Sequence, residues 1–189
     1  MRGRACKMRT FIAIKLPADV KEQIQKFQKS LGIDGVKWVS PENIHLTLKF
    51  LGEINESQLE SVKSTVNSSI QEIKSFNISL SEFGAFPDLR RPKVLWLGVK
   101  EGKDEVTQLM INLENELAKI GFVPEGRKPV PHITIGRVKE VESLELDPET
   151  SSGQGFEAKS FLVESIYLIK STLSSEGPTY TDLAEYKLG

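Results

Sequence analysis

The sequence predicts an α+β chain folded as two similar lobes that share one cleft. Three observations lead there. Strand-like and helix-like segments alternate along the 189 residues, and no linker or low-complexity stretch divides them. The only two histidines head the same four-residue pattern, His45-Leu46-Thr47-Leu48 and His132-Ile133-Thr134-Ile135, 87 residues apart (132 − 45). Each copy follows a helix-like segment and a proline-containing turn, so each half of the chain supplies one motif strand.

The elements follow in order. Residues 9–15 read as a strand, with Phe11, Ile12, Ala13 and Ile14 filling both faces. Pro17 opens a helix over about 18–30, with Val20, Ile24, Phe27 and Leu31 at helical spacing, and Gly32 ends it. Residues 37–39 form a short strand, and 40–43 turn the chain into the first motif strand at 44–51, which Gly52 closes. A second helix runs over about 56–73 through Leu59, Val62, Val66, Ile70 and Ile73. Residues 76–86 alternate as one strand, 87–92 form a loop between two prolines, and 94–99 form the next strand.

The third helix spans 103–120, with Val106, Leu109, Met110, Leu113 and Leu117 on one face and Gly121 as its cap. Pro129-Val130-Pro131 leads into the second motif strand at 132–138. Residues 140–155, acidic and then rich in Ser and Gly, read as a surface connection, and 161–170 and 180–188 as the last strands. Residues 1–7 are expected to be a disordered extension and 8–189 a single domain. Outside the motifs the halves differ, so a duplication is inferred from the symmetry of the element order.

Bulk composition narrows the function. The net charge is −1, so no global basic field marks a nucleic-acid binder, and a polyanion must be held by a local patch. Cys6 is the only cysteine, which forbids an intramolecular disulfide and suits a reducing compartment. No apolar run approaches the ~20 residues of a membrane span, and no hydrophobic signal core follows the basic start. A cytoplasmic protein without a membrane partner is expected.

Side chains alternate across a strand, so each motif puts its His and Thr on one face and its two aliphatic residues on the other. A single His beside a Thr is usually structural. Two matching copies that use every histidine in the chain point instead to shared chemistry. Zinc would need a third or fourth ligand, and Cys6 lies in the expected tail, so no metal is assigned. There is no Gly-x-Ser-x-Gly elbow for a nucleophilic triad and no phosphate loop of the P-loop type. What remains is a pair of imidazoles that give and take protons near neutral pH. In-line displacement at phosphorus uses both, with the Thr hydroxyls and a cation holding the non-bridging oxygens. A strained cyclic phosphate needs no metal.

These residues resemble the 2H phosphoesterases, named for two His-x-Thr/Ser-x motifs, and within them the RNA 2′,3′-cyclic phosphodiesterases, also called 2′-5′ RNA ligases. The likeness runs over nearly the whole chain from Met8. It rests on Arg9-Thr-Phe11-Ile-Ala13-Ile14, on His45-Leu-Thr47-Leu-Lys49-Phe50-Leu-Gly52-Glu53, and on Pro131-His132-Ile-Thr134-Ile-Gly-Arg137. Leu168, Ser171, Leu173, Gly177, Tyr180 and Leu183 fit the closing signature. The resemblance implies two pseudo-twofold-related lobes, antiparallel sheets flanked by helices, and an active-site cleft between them.

It also implies metal-independent hydrolysis of a terminal RNA 2′,3′-cyclic phosphate to a 2′-phosphate, with reversible 2′-5′ ligation and no cofactor. The expected partners are RNA ends bearing that group, tRNA-like fragments among them, and the expected state is a monomer. His45 is then the acid that protonates the leaving 3′ oxygen, and His132 the base that activates water. Two alternatives stay open: a phosphodiesterase for a small nucleotide (a cyclic phosphate of ADP-ribose, or 2′-5′ oligoadenylate), and a non-catalytic nucleotide- or RNA-binding module.

Supporting residues follow from chemistry and position. Thr47 and Thr134 are expected to bind phosphate oxygens. Arg137 is the best phosphate cation, because guanidinium presents a bidentate fork. Strict alternation turns it to the wrong face, unless Gly136 marks a bulge that re-aims it. Lys49 shares parity with His45 and Thr47, and either reaches a neighbouring phosphate or extends to solvent. Phe11 either stacks on a base or packs in the core. Arg90, Arg91, Lys93, Arg127 and Lys128 are candidates for a basic rim, and Trp38 and Trp96 are assigned to packing.

Overall fold

The computed structural model describes residues 7–139, 156, 159–175 and 177–189. In chain order the elements are β1 (Met8–Lys15), α1 (Ala18–Leu31), β2 (Val36–Trp38), β3 (His45–Ile54), α2 (Glu56–Ser69), β4 (Phe76–Ile78), β5 (Leu80–Phe86), β6 (Val94–Val99), α3 (Lys103–Lys119), β7 (His132–Val138), β8 (Phe161–Val163), β9 (Ser165–Ser174) and β10 (Gly177–Lys187). One sheet has the order β10-β9-β1-β3, the other β2-β7-β6-β5, and β4 pairs with β8. Every pairing is antiparallel. The fold is the expected α+β arrangement of two lobes.

The chain repeats itself in space. β1-α1-β3 and β6-α3-β7 run in the same order, with β7 starting 87 residues after β3 (132 − 45). β8 and β9 then repeat β4 and β5, with β8 starting 85 residues after β4 (161 − 76). The last strand of each half crosses to the sheet of the other: β5 pairs with β6, and β9 with β1. Where β4 meets β8, Asn77 faces Leu162, Phe76 faces Val163 and Ile78 faces Phe161. A twofold axis between Asn77 and Leu162 produces that register. Among the described residues, α2, β2 and β10 have no counterpart in the other half.

Local chemistry explains most of the boundaries. α2 starts on a capping box, in which Asn55 accepts from the Gln58 backbone N–H and Gln58 accepts from that of Asn55. It ends at Ser69, sooner than its apolar spacing suggests, and the buried Ile70 follows as its cap. The strands expected at 76–86 and 161–170 are each split, at Ser79 and Glu164, into a short axial strand and a longer lobe strand. β3 does not stop at Gly52 but continues to Ile54, because Gly52 takes a left-handed φ of 71° inside a bulge. The expectations for residues 1–6 and 140–155 lie outside the described residues.

One apolar core lies between the sheets and helices. Ile12, Ile14, Leu46, Leu95, Leu97, Ile133 and Ile135 are fully buried on the inner faces of the strands. Val20 and Ile24 of α1, Val62 and Val66 of α2, and Val106, Leu109, Leu113 and Leu117 of α3 meet them. Each such side chain stabilises the fold by about 1.5–3 kcal/mol relative to exposure. The buried Gln28 of α1 donates to the Val39 and Ile135 carbonyls at 2.9 and 2.8 Å, which pins β7 from its core side.

Candidate active site

Each motif strand carries its histidine and threonine half-buried on one face and its aliphatic pair buried on the other. Immediately afterwards each strand bulges. On β3, Thr47 faces Ala13 and Lys49 faces Ile12, so Leu48 is the extra residue. On β7, Thr134 faces Trp96 and Gly136 faces Leu95, so Ile135 is the extra residue. These are the fourth residues of the two motifs. A bulge of one residue reverses the parity of everything beyond it.

The reversal decides three placements. Arg137 returns to the face of His132 and Thr134, opposite Val94, and is exposed. Gly136 turns inward, where a Cβ would come within 2.7 Å of the Val36 side chain and 3.0 Å of the Trp38 ring. Lys49 also turns inward. Its side chain is 4% exposed, and its ammonium lies 2.8 Å from Glu114 Oε2 on α3 and 3.7 Å from Glu125 Oε1. Burial alone would raise the Glu114 carboxyl, but hydrogen bonds from Lys49 and the Glu125 backbone hold it below the usual range. The parity argument for Lys49 therefore fails at the bulge, and the residue that shares the face of His45 and Thr47 is Phe50.

The two imidazoles are held alike. His45 Nδ1 lies 2.7 Å from the Asn43 carbonyl, and His132 Nδ1 lies 2.7 Å from the Val130 carbonyl. A carbonyl only accepts, so each Nδ1 carries the proton and each Nε2 is the unprotonated, accepting nitrogen of the neutral ring. Phe11 stacks on His45 with centroids 4.7 Å apart, and Tyr180 meets that ring edge-on at 5.3 Å. Phe86 and Trp96 bracket His132 at 5.0 and 6.2 Å. Burial in its aromatic surroundings pushes the His45 pKa down to about 4; the Lys21 charge adds to this, and the Asn43 hydrogen bond opposes it.

The lobes meet at these strands. β3 and β7 contact one another directly although they belong to different sheets. Burial raises the Tyr180 hydroxyl, while the Arg137 charge, from the other lobe, pulls it back. The Thr47 and Thr134 hydroxyls and the Arg137 guanidinium have no hydrogen-bond or ion-pair partner among the described residues. A cavity of about 400 Å³ opens beside His45, lined by Lys15, Lys21, Glu42, Tyr180 and Asp182, with Lys15 paired to Asp182. No three His, Cys, Asp or Glu side chains converge among the described residues. Two imidazoles, two hydroxyls and one guanidinium suit an anion that exchanges protons while it reacts.

Phe11 lies in this site at 3% exposure, stacked on His45 and clustered with Ala13 and Ile169. Trp96 does more than pack: its ring covers Gly84, where a Cβ would lie 2.3 Å away, and its edge meets His132. Phe50, Phe86 and Tyr180 are missing from the residues picked out for this site by the sequence. Only the bulge, or the pairing of distant strands, brings them to it.

The model of the LigT-like phosphoesterase family matches residues 14–96 and again 97–180, one match for each half and each with one histidine motif. The chain belongs to this family of the 2H superfamily. Its relatives include two proteins named RNA 2′,3′-cyclic phosphodiesterase. That of Aquifex aeolicus is 37% identical over 96% of this chain and 98% of its own. That of Thermotoga maritima is 40% identical over 94% of both. Among solved structures, Escherichia coli LigT complexed with 3′-AMP superposes with a TM-score of 0.79 at 27% identity, over 97% of this chain and 99% of its own. Among the described residues, no helix is long and apolar enough to cross a membrane.

Proposed function

We propose that this protein hydrolyses the 2′,3′-cyclic phosphate at an RNA end to a 2′-phosphate, with His45 and His132 as its acid–base pair. The observation that carries the reading is the matched anchoring of the two rings: both Nδ1 atoms donate to the carbonyl two residues back, on strands that meet at the cleft. The names of the relatives support the substrate.

In this reading the phosphate lies between the two Nε2 atoms. Thr47, Thr134 and Arg137 bind its non-bridging oxygens. His132 Nε2 takes a proton from water as the water oxygen bonds to phosphorus. The bond from phosphorus to the 3′ oxygen breaks in line, and His45 Nε2 gives that oxygen its proton. The products are a 2′-phosphate and a 3′-hydroxyl. With its pKa down at about 4, His45 takes up its proton from solvent as the anionic substrate binds, because the substrate's charge favours the imidazolium. No step requires a metal. A 5′-hydroxyl RNA end in place of water gives a 2′-5′ bond by the same transfers, and ring opening by abundant water keeps hydrolysis dominant.

The test is an oligoribonucleotide ending in a 2′,3′-cyclic phosphate, with the product phosphate located by ³¹P NMR. A 2′-phosphate, formed equally well in EDTA, is the expected result. A 3′-phosphate would overturn the choice of leaving oxygen, and no turnover would overturn the reading. Loss of activity in EDTA would restore a metal to the mechanism.

A further inference from the structure

We propose that Arg9, Ser171 and Tyr180 bind a second phosphate, the phosphodiester that joins the terminal nucleotide to the rest of the RNA. They would thereby select RNA ends over mononucleotides. The assignment rests on the reading of the cleft as a site for a terminal cyclic phosphate. Arg9 of β1 lies opposite Ser171 of β9, and Ser171 lies opposite Tyr180 of β10. Residues directly opposite one another share a face of the sheet. By strand alternation it is the face of Phe11 and Ile169, which cluster beside His45. One guanidinium and two hydroxyls therefore stand in a row across three adjacent strands. Arg137, Thr47 and Thr134 offer the reacting phosphate the same kinds of group.

None of the three groups has a hydrogen-bond or ion-pair partner among the described residues. Arg9 is exposed, yet it does not take the carboxylate beside it. Glu53, opposite on β3, pairs instead with Lys7 at 3.5 Å, and Asp182 on β10 pairs with Lys15. Tyr180 ties the row to the histidine, since its ring meets His45 edge-on at 5.3 Å and Phe11 at 5.1 Å. Burial raises its hydroxyl pKa, and the charges of Arg137 and Arg9 both pull it back. With His45 protonating the 3′ oxygen, the ribose lies on the His45 side. The next phosphate of the chain, carried on the 5′ oxygen of that ribose, lies on this side too. A nucleoside cyclic phosphate has only a hydroxyl there, and leaves a second guanidinium nothing to neutralise.

Steady-state kinetics test this with two substrates. Adenosine 2′,3′-cyclic phosphate has no phosphate besides the ring, and the adenosine dinucleotide ending in a 2′,3′-cyclic phosphate has one more. Arg9→Ala is expected to lower kcat/KM for the dinucleotide roughly tenfold, mainly through KM, and to leave the mononucleotide unchanged. Arg9→Lys is expected to recover part of the loss. The slope of log affinity against log salt for the dinucleotide 2′-phosphate should become shallower by about 0.7 in Arg9→Ala, the share of one phosphate contact on a single strand. An equal loss on both substrates, an unchanged dinucleotide or an unchanged salt slope would overturn the assignment. Titration with the two 2′-phosphate products separates this from the reaction itself. No turnover by the parent, with Arg9→Ala still weakening only the dinucleotide, would sink the proposed reaction and leave the second phosphate site in place.

Discussion

Phe50 and Arg137 are the same residue of a repeated unit. Each stands one step past the inward-turned residue that follows a motif bulge, and each lies on the His–Thr face of its strand. The bulge is thus part of the site's construction: it returns a third side chain to the His–Thr face within a single strand.

The paired imidazoles are the first test. His45→Ala and His132→Ala are each expected to cost on the order of 10²–10⁴-fold in single-turnover hydrolysis of a cyclic-phosphate oligonucleotide. Binding of the RNA end should persist, since Thr47, Thr134 and Arg137 remain. Undiminished turnover in either variant would refute the acid–base pair.

In the proposed reaction Arg137 supplies the positive charge that meets the phosphate. Arg137→Ala is expected to weaken inorganic phosphate by roughly 10- to 100-fold, and Arg137→Lys to recover only part of the loss, because an ammonium lacks the bidentate fork. Titration calorimetry reads both. Full recovery by lysine would reduce the arginine to a point charge.

Anion binding should be linked to protons through His45. Burial holds its pKa at about 4, and a neighbouring anion raises it, so binding takes up a proton at pH values between the two. Sulfate does not titrate in this range, and its affinity is expected to rise as pH falls from 8 toward 5. His45→Ala should flatten that dependence. An unchanged slope in the variant would place the proton uptake elsewhere.

The same depression sets an acid limb in stability. The unfolded chain protonates His45 as pH falls through 6.5, whereas the folded chain resists until about 4. The stability tied to the neutral ring is complete above 6.5 and is lost as pH falls from 6.5 to about 4. Urea unfolding of His45→Gln should therefore show a shallower loss over this interval than the parent. Parallel curves would mean that the ring is not desolvated.

Lys49 is expected to act on stability. Lys49→Ala leaves the partly buried Glu114 without its partner and should cost about 3 kcal/mol in urea unfolding. The KM for a cyclic-phosphate oligonucleotide should stay at the parent value while the variant remains folded. A higher KM without a loss of stability would return Lys49 to the substrate.

The sequence by itself determined the α+β class, the two motif strands, and the inward and outward faces of each His-x-Thr-x unit. Those follow from the period of a strand and from aliphatic residues that bury wherever the pattern puts them, as Leu46, Leu48, Ile133 and Ile135 do. Gly136 also carried a local sign of the bulge that re-aims Arg137, because only glycine fits beneath Val36 and Trp38 there.

The bulge at Leu48 left no such sign, since strict alternation puts Lys49 outward and Phe50 inward, which is also what their polarity favours. Only the pairing with β1, together with an acidic residue waiting on α3, sends the lysine inward and the phenyl ring out. The exchange of β5 and β9 between lobes, the splitting of their strands at Ser79 and Glu164, and the rings of Tyr180 and Phe86 beside the histidines were likewise decided by tertiary structure. Periodicity records which face of a segment is apolar. Which distant segment meets that face, and in what register, is fixed only when the two halves bury their surfaces against each other.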